Sequence, residues 1–297
     1  MEIISSNKIA FLISAYTEPS SLHALVKKLD KMLFADFYIH IDKKVQIEPF
    51  QDGLMNMPNV FFLEDRIRVF WGGYTQVEMQ MAMIKEMLGR NIKYKRVVNL
   101  TGTDYPVVNK EILCDVLNKS DVEYICGFEI NSELRSGNKK MIYKYSRFYL
   151  MDTFRVIRAL IIRMRLPRFS FWRNRFSIYY GSEYWGLTYD CVSELFNTYI
   201  SDEPLQKLLR FSFVPSEAWM HTLFFNSNWS KRAIKRPEEC DYKLINLSPI
   251  TYFKYGNAIK ILNEEDYKDI ISSGRLFARK IVTGKSDHLI SMLCENE

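Results

Sequence analysis

The sequence has little glycine or proline, 12 and 9 of 297 residues, which excludes collagen-like and low-complexity chains. Its five cysteines, at 114, 126, 191, 240 and 294, form no Cys-x-x-Cys pair and are odd in number. A disulfide framework or zinc site is therefore not expected, and a reducing compartment is. The four histidines, at 23, 40, 221 and 288, show no zinc-ligand spacing. Asp-x-Asp is absent, so no divalent cation is expected on that carboxylate pair. Walker, GxGxxG and GxSxG signatures are missing too. That removes the common NTPase, dehydrogenase and serine-hydrolase readings. No apolar run reaches the length of a bilayer-spanning helix, and the N-terminus lacks the basic region of a signal peptide. These absences predict a cytoplasmic chain.

What remains is an ordinary globular composition, 47% hydrophobic and 26% charged, with aromatics at 14%. The net charge of +6 permits an anionic ligand or surface but does not demand nucleic acid, and no nucleic-acid motif is present. Without repeats or linkers, the chain reads as one α/β domain over 1–297, with halves of about 1–125 and about 126–297. Its first part alternates buried strands with amphipathic helices. Lys8–Tyr16, Phe37–Ile41, Val60–Phe62 and Arg96–Leu100 read as strands. A helix capped by Ser20 or Ser21 carries Leu22, Leu25, Val26 and Leu29 at helical spacing. Thr75-x-x-Glu78 has the form of a capping box for a second helix. Such β-α-β units predict a mostly parallel sheet, with ligands at the carboxyl ends of its strands, where Tyr16, Asp42 and Asp104 fall.

Several residues stand in unusual settings, and each has two readings. Glu217 follows a proline at a helix start, where it either supports the helix dipole or acts in a site. Glu183 interrupts an aromatic run, so it points to solvent or sits in a functional pocket. Asp104 either shapes a turn or contacts a ligand. Arg279 and Lys280 either snorkel or neutralise a diphosphate. Trp185 and Trp219 are core residues or stacking platforms for an acceptor sugar. From Arg155 to Arg175, seven arginines alternate with apolar residues. That stretch is a surface helix and loop, or a basic amphipathic segment for anionic lipid or an anionic acceptor.

Seven strings, taken together and in order, resemble the core-2/I-branching family of glycosyltransferases, which includes β-1,6-N-acetylglucosaminyltransferases and protein O-xylosyltransferases. They are IAFLISAY (9–16), YIHIDKK (38–44), RVFWGGYTQVEMQ (68–80), VVNLTGTDYPV (97–107), GSEYWGLT (181–188), VPSEAWMHTLFFNS (214–227) and LFARK (276–280). The resemblance implies a GT-A fold and an inverting, metal-independent transfer from a UDP-sugar to a glycan hydroxyl. N-acetylglucosamine is favoured as the sugar and xylose is possible. It implies Glu217 as the general base, with Glu183 as base or acceptor clamp, and Arg279 and Lys280 at the leaving diphosphate. Ser14, Ala15, Tyr16, Asp42, Arg66, Trp71, Gly72, Gly73 and Asp104 would line the donor site. Without the family's long cysteine-bonded stem, the chain resembles a bacterial-type member that builds surface polysaccharide at the inner membrane face. A catalytically inactive carbohydrate-binding or scaffold protein on the same fold is the alternative.

Overall fold

Strand residues of alternating parity supply two separate cores, one on each face of the central sheet. In the computed structural model, which describes residues 4–5, 7–130, 139–168, 177–241 and 243–294, the first long strand is β1 (Ile9–Ala15). Ala10 and Leu12 face one core, and Ile9, Phe11, Ile13 and Ala15 the other. This is the period-2 alternation of a strand covered on both sides. Helix α1 (Pro19–Met32) covers the second face with Leu22, Leu25, Val26 and Leu29. Strand β2 (Ala35–Ile41) and the short β3 (Val60–Phe62) follow. Helix α2 (Thr75–Gly89) covers the first face with Val77, Met83, Ile84 and Met87. Each such side chain, when fully buried, contributes about 1.5–3 kcal/mol.

Strand β4 (Arg96–Thr101) runs into a turn, then β5 (Tyr105–Pro106) and α3 (Lys110–Asn118). Strand β6 (Gly127–Glu129) precedes α4 (Arg155–Met164), and β7 (Tyr179–Gly181) pairs back on β6. Strand β8 (Gly186–Thr188) leads to α5 (Tyr189–Ser201) and α6 (Trp219–Phe225). The central sheet has the order β8-β4-β1-β2-β3, parallel throughout except for the antiparallel edge strand β8. A smaller sheet, β9 (Thr251–Phe253), β10 (Phe277–Arg279) and β5, pairs Ala278 with Tyr105 and Phe253 with Arg279. It brings the C-terminal Arg279 beside the β4–β5 turn. The architecture is thus mixed α/β with a parallel-rich sheet and flanking helices.

Two expected helix caps are not observed. The N-cap of α1 is Glu18, in the left-handed region, with no side-chain cap bond. Ser21 Oγ instead accepts from the backbone of Thr283, tying α1 to the C-terminal part. The Thr75–Glu78 box is replaced by a cap from far along the chain. Asp152 accepts from the backbone N–H of Tyr74 at 2.7 Å and of Thr75 at 3.3 Å, and from Thr75 Oγ1 at 2.6 Å. A Cβ on Gly73 would collide with that carboxylate, so the glycine makes room for the cap. Gly72 has φ 75° and its own Cβ would stand 2.8 Å from the Phe213 ring. In this structure the two glycines therefore serve a helix start and a close ring.

Asp152→Ala should destabilise the fold by roughly 1–2 kcal/mol, the usual loss for a removed cap. Thermal unfolding would show a drop of several degrees, and an unchanged midpoint would mean that the Asp152 carboxylate does not hold the start of α2.

Candidate active site

The predicted carboxylates come together through four elements that are distant in sequence. Glu183 lies between β7 and β8, and its carbonyl accepts from Asn99 Nδ2 of β4 at 2.9 Å. Its Oε2 accepts from Gln80 Nε2 of α2 at 3.2 Å. Gln80 Oε1 in turn accepts from Trp219 Nε1 of α6 at 2.7 Å. The indole therefore fixes the amide orientation, and the amide presents its N–H to the carboxylate. Burial, then the neighbouring charge of Glu217, pushes the Glu183 carboxyl up to about 7. Arg279 opposes that rise and Asp104 adds to it.

Glu217 ends a short 3-10 turn, Pro215–Glu217, just before α6. Its Oε2 accepts from the Tyr180 hydroxyl of β7 and lies 3.5 Å from Lys144 Nζ. Lys144 also donates to Tyr180 Oη at 3.2 Å and sits over that ring. Burial raises the Glu217 carboxyl, while Lys144 and the Tyr180 hydrogen bond favour its ionised form. Both glutamates keep partial solvent contact. The turn that delivers Glu217 is strained. Val214, before it, has φ 54° and ψ 56°, a conformation costly for a β-branched residue. Its N–H donates to Gly72 O at 2.9 Å, which ties the turn to the Trp71–Gly73 segment.

The cations near the acids come from β10 and the residue after it. Arg279 Nε lies 3.6 Å from Asp104 Oδ1, and its guanidinium covers the Tyr184 ring. Asp104 Oδ2 accepts from Thr101 N–H at 2.7 Å, closing the turn after β4. Burial lifts Asp104 to about 6, with Arg279 opposing. Lys280 is partly exposed, and burial followed by Arg279 pulls its ammonium down. Tyr255, 54% exposed, has its phenol pushed up by burial and then by Glu217 and Glu183.

Along the sheet edge, Asp42 N–H donates to Ala15 O at 3.0 Å, joining the ends of β1 and β2. The Asp42 carboxylate accepts from Lys44 N–H at 2.9 Å and pairs with Lys44 Nζ at 3.2 Å. Arg66 donates to Val45 O at 2.9 Å and lines an open hollow of about 610 Å³ with Lys43, Lys44 and Glu48. Neither Glu183 nor Glu217 lines that hollow. Ser14 and Ala15 are at the end of β1, Tyr16 is 59% exposed, and Trp71 is 71% exposed.

One expectation fails. Trp185 and Trp219 are wholly buried, so neither ring has a face free for an acceptor sugar. Apolar packing takes both into the core, and Trp219 acts through its N–H on Gln80. Gln80, Lys144 and Tyr180 were missed from sequence. Gln80 stands within the quoted WGG string but carries no local signal, and Tyr180 directly precedes Gly181-Ser182-Glu183.

Two half-buried acids near the strand ends of an α/β sheet, with Arg279 within electrostatic reach of one of them, fit the class of ligand-binding and catalytic α/β proteins. Comparison narrows the class. The model of the Core-2/I-Branching enzyme family matches residues 9–246, and the chain belongs to that family. It is 22% identical to mouse beta-1,3-galactosyl-O-glycosyl-glycoprotein beta-1,6-N-acetylglucosaminyltransferase 3, over 92% of this chain and 66% of that protein. It is 24% identical to the xylosyltransferase oxt of Drosophila melanogaster, over 73% of this chain and 26% of that protein. It is 23% identical to human N-acetyllactosaminide beta-1,6-N-acetylglucosaminyl-transferase, over 82% and 61%. The chain thus spans from about a quarter to about two thirds of these relatives. Among solved structures it is similar to the apo structure of the WbbM bifunctional glycosyltransferase, with a TM-score of 0.48 and 12% identity, covering 98% of this chain and 50% of that one.

The raised Glu183 carboxyl has a consequence for stability. The folded chain keeps a proton there up to about pH 7, whereas the unfolded chain loses it near 4.5. This group's contribution therefore falls as pH rises from about 4.5 to 7. Glu183→Gln should unfold with wild type near pH 4, and several degrees above it near pH 8. Equal midpoints at the higher pH would mean that Glu183 is an ordinary exposed carboxylate.

Proposed function

We propose that the chain is an inverting glycosyltransferase of the GT-A type. It transfers a sugar from a UDP-sugar to a hydroxyl of a glycan acceptor. The observation that carries this reading is that Glu217, Asp104 and Arg279 all lie within electrostatic reach of the half-buried Glu183, with Arg279 3.6 Å from Asp104 at the sheet edge. The transferase names of the similar proteins support it, and they favour N-acetylglucosamine as the donor sugar, with xylose the alternative.

In this reading Glu217 takes the proton of the acceptor hydroxyl as its oxygen attacks the anomeric carbon. Lys144 at 3.5 Å supports the ionised carboxylate that this role requires. Glu183 clamps the same hydroxyl from its brace on Gln80. The bond from the anomeric carbon to the diphosphate breaks, and UDP departs toward Arg279 and Lys280. Fixed cations stabilise charge that develops on a leaving group, so the transfer proceeds without a divalent ion. Asp42 and the hollow beside Arg66 receive the nucleoside. Exposed Trp71, held edge-on against Phe213 at 5.6 Å, borders the donor sugar.

Glu217→Gln should lower kcat by about 10²–10⁴-fold with little change in donor affinity, the usual scale for losing a general base. Glu183→Gln should lower it less and raise KM for the acceptor. The reverse order would make Glu183 the base, and UDP release unaffected by either change would defeat the transferase reading.

Lys280→Ala should weaken UDP binding at least several-fold, since a charge-assisted contact to phosphate is lost. Calorimetric titration with UDP checks this, and unchanged affinity would remove Lys280 from the diphosphate site.

A further inference from the structure

Helix α4 has no buried residue along its 10-residue length. Its apolar side chains are left in water: Val156 is 80% exposed, Leu160 59%, Met164 55% and Ile157 45%, and Phe154 just before it is 81% exposed. Their spacing puts Val156, Ile157, Leu160 and Met164 on one face. Arg155 and Arg158 stand across the axis, Arg163 stands at its margin, and Arg165 forms the C-cap. No acidic residue occurs from Phe154 to Arg168. The helix is too short to cross a bilayer.

The segment that carries α4 leaves and rejoins the body at one point. Phe148 N–H donates to Leu166 O and Arg168 N–H to Ser146 O, each at 2.8 Å, with an antiparallel bridge between Arg147 and Pro167. Arg168 is buried, and its guanidinium donates to Ser212 Oγ at 3.1 Å and Lys207 O at 3.2 Å. It is therefore an anchor rather than part of a basic face, which corrects its place in the expected arginine cluster. Arg173 and Arg175 lie outside the described residues. Tyr149 N–H donates to Phe211 O, so the excursion is seated on the strand of chain that leads to Val214 and Glu217.

We propose that α4 lies flat on an anionic lipid surface, with Val156, Leu160 and Met164 among the acyl chains and Arg155, Arg158 and Arg163 at the headgroups. Apolar side chains flanked by arginines match both parts of that interface at once. A soluble polyanion would engage the arginines and leave the apolar face wet. A symmetric pairing of two copies through this face would bring like-charged arginine clusters together. The inference goes beyond the transfer reaction and stands whether or not that reaction is correct.

The test is co-sedimentation with vesicles of phosphatidylcholine, with and without about one quarter phosphatidylglycerol. Wild type should sediment with the anionic vesicles, far less with the neutral ones, and less as salt rises. Arg155→Gln/Arg158→Gln/Arg163→Gln should cut partitioning by at least ten-fold, given about five-fold per basic residue at such a surface. Leu160→Glu should cut it as well. Both variants should melt with wild type, because no side chain of the helix is buried. The proposal is overturned by no binding to anionic vesicles at low salt, or by binding that both variants keep. A lipid-free dimer in sedimentation velocity that Leu160→Glu dissolves would equally contradict it, by giving the face to a second copy.

Discussion

Partial burial raises the carboxyls of both Glu183 and Glu217, and the charge of Glu217 raises that of Glu183 further, so the surroundings of the two acids decide which one ionises first. The two acids are treated unequally. Glu217 has an ammonium group at 3.5 Å and a phenol hydrogen bond, which hold it toward its charged form. Glu183 has an uncharged amide N–H against its carboxylate, at 3.2 Å, and although Arg279 and Ser216 favour its ionised form, burial and Glu217 keep its proton to about pH 7. Placing unlike environments around two like groups separates their titrations, the condition for giving them different chemical tasks.

Each part of the fold serves that asymmetry. Helix α2 carries Gln80, and its start is fixed by Asp152 from across the structure. Helix α6 carries Trp219, whose full burial leaves its N–H with a single orientation toward Gln80. The strained Val214 turn brings Glu217 to the β6–β7 strand pair that presents Tyr180. The small sheet carries Arg279 to the Asp104 turn, so the cation beside that turn depends on pairing between β10 and β5, which are far apart in the chain.

What the sequence revealed follows from how local its signals are. The strands β1 and β4 were legible because burial on both faces leaves a continuous apolar run. Helix α1 was legible from its apolar period, but its cap was not, since Glu18 caps by backbone conformation alone. The cap of α2 was illegible for another reason: Asp152 lies 77 residues beyond Thr75. Glu183, Glu217, Asp104 and Arg279 stood out as charges inside apolar or turn segments, and the last three are within electrostatic reach of Glu183. Gln80 and Lys144 did not stand out, because an amide or amine on a helix looks like any solvated residue until its partner is placed. Trp185 and Trp219 had the right chemistry for stacking on a sugar, and only tertiary packing decided that they are core.

The most direct test of the coupled pair is a carboxyl titration followed by NMR of the protein labelled with ¹³C at the glutamate side chains. The account predicts one glutamate that titrates near 7, disappears in Glu183→Gln, and moves to lower pH in Glu217→Gln as the neighbouring charge is removed. If every glutamate titrates in the ordinary carboxylate range of about 4–5, or if the Glu183 signal ignores the loss of Glu217, the two groups are not electrostatically coupled and the account of the site is wrong.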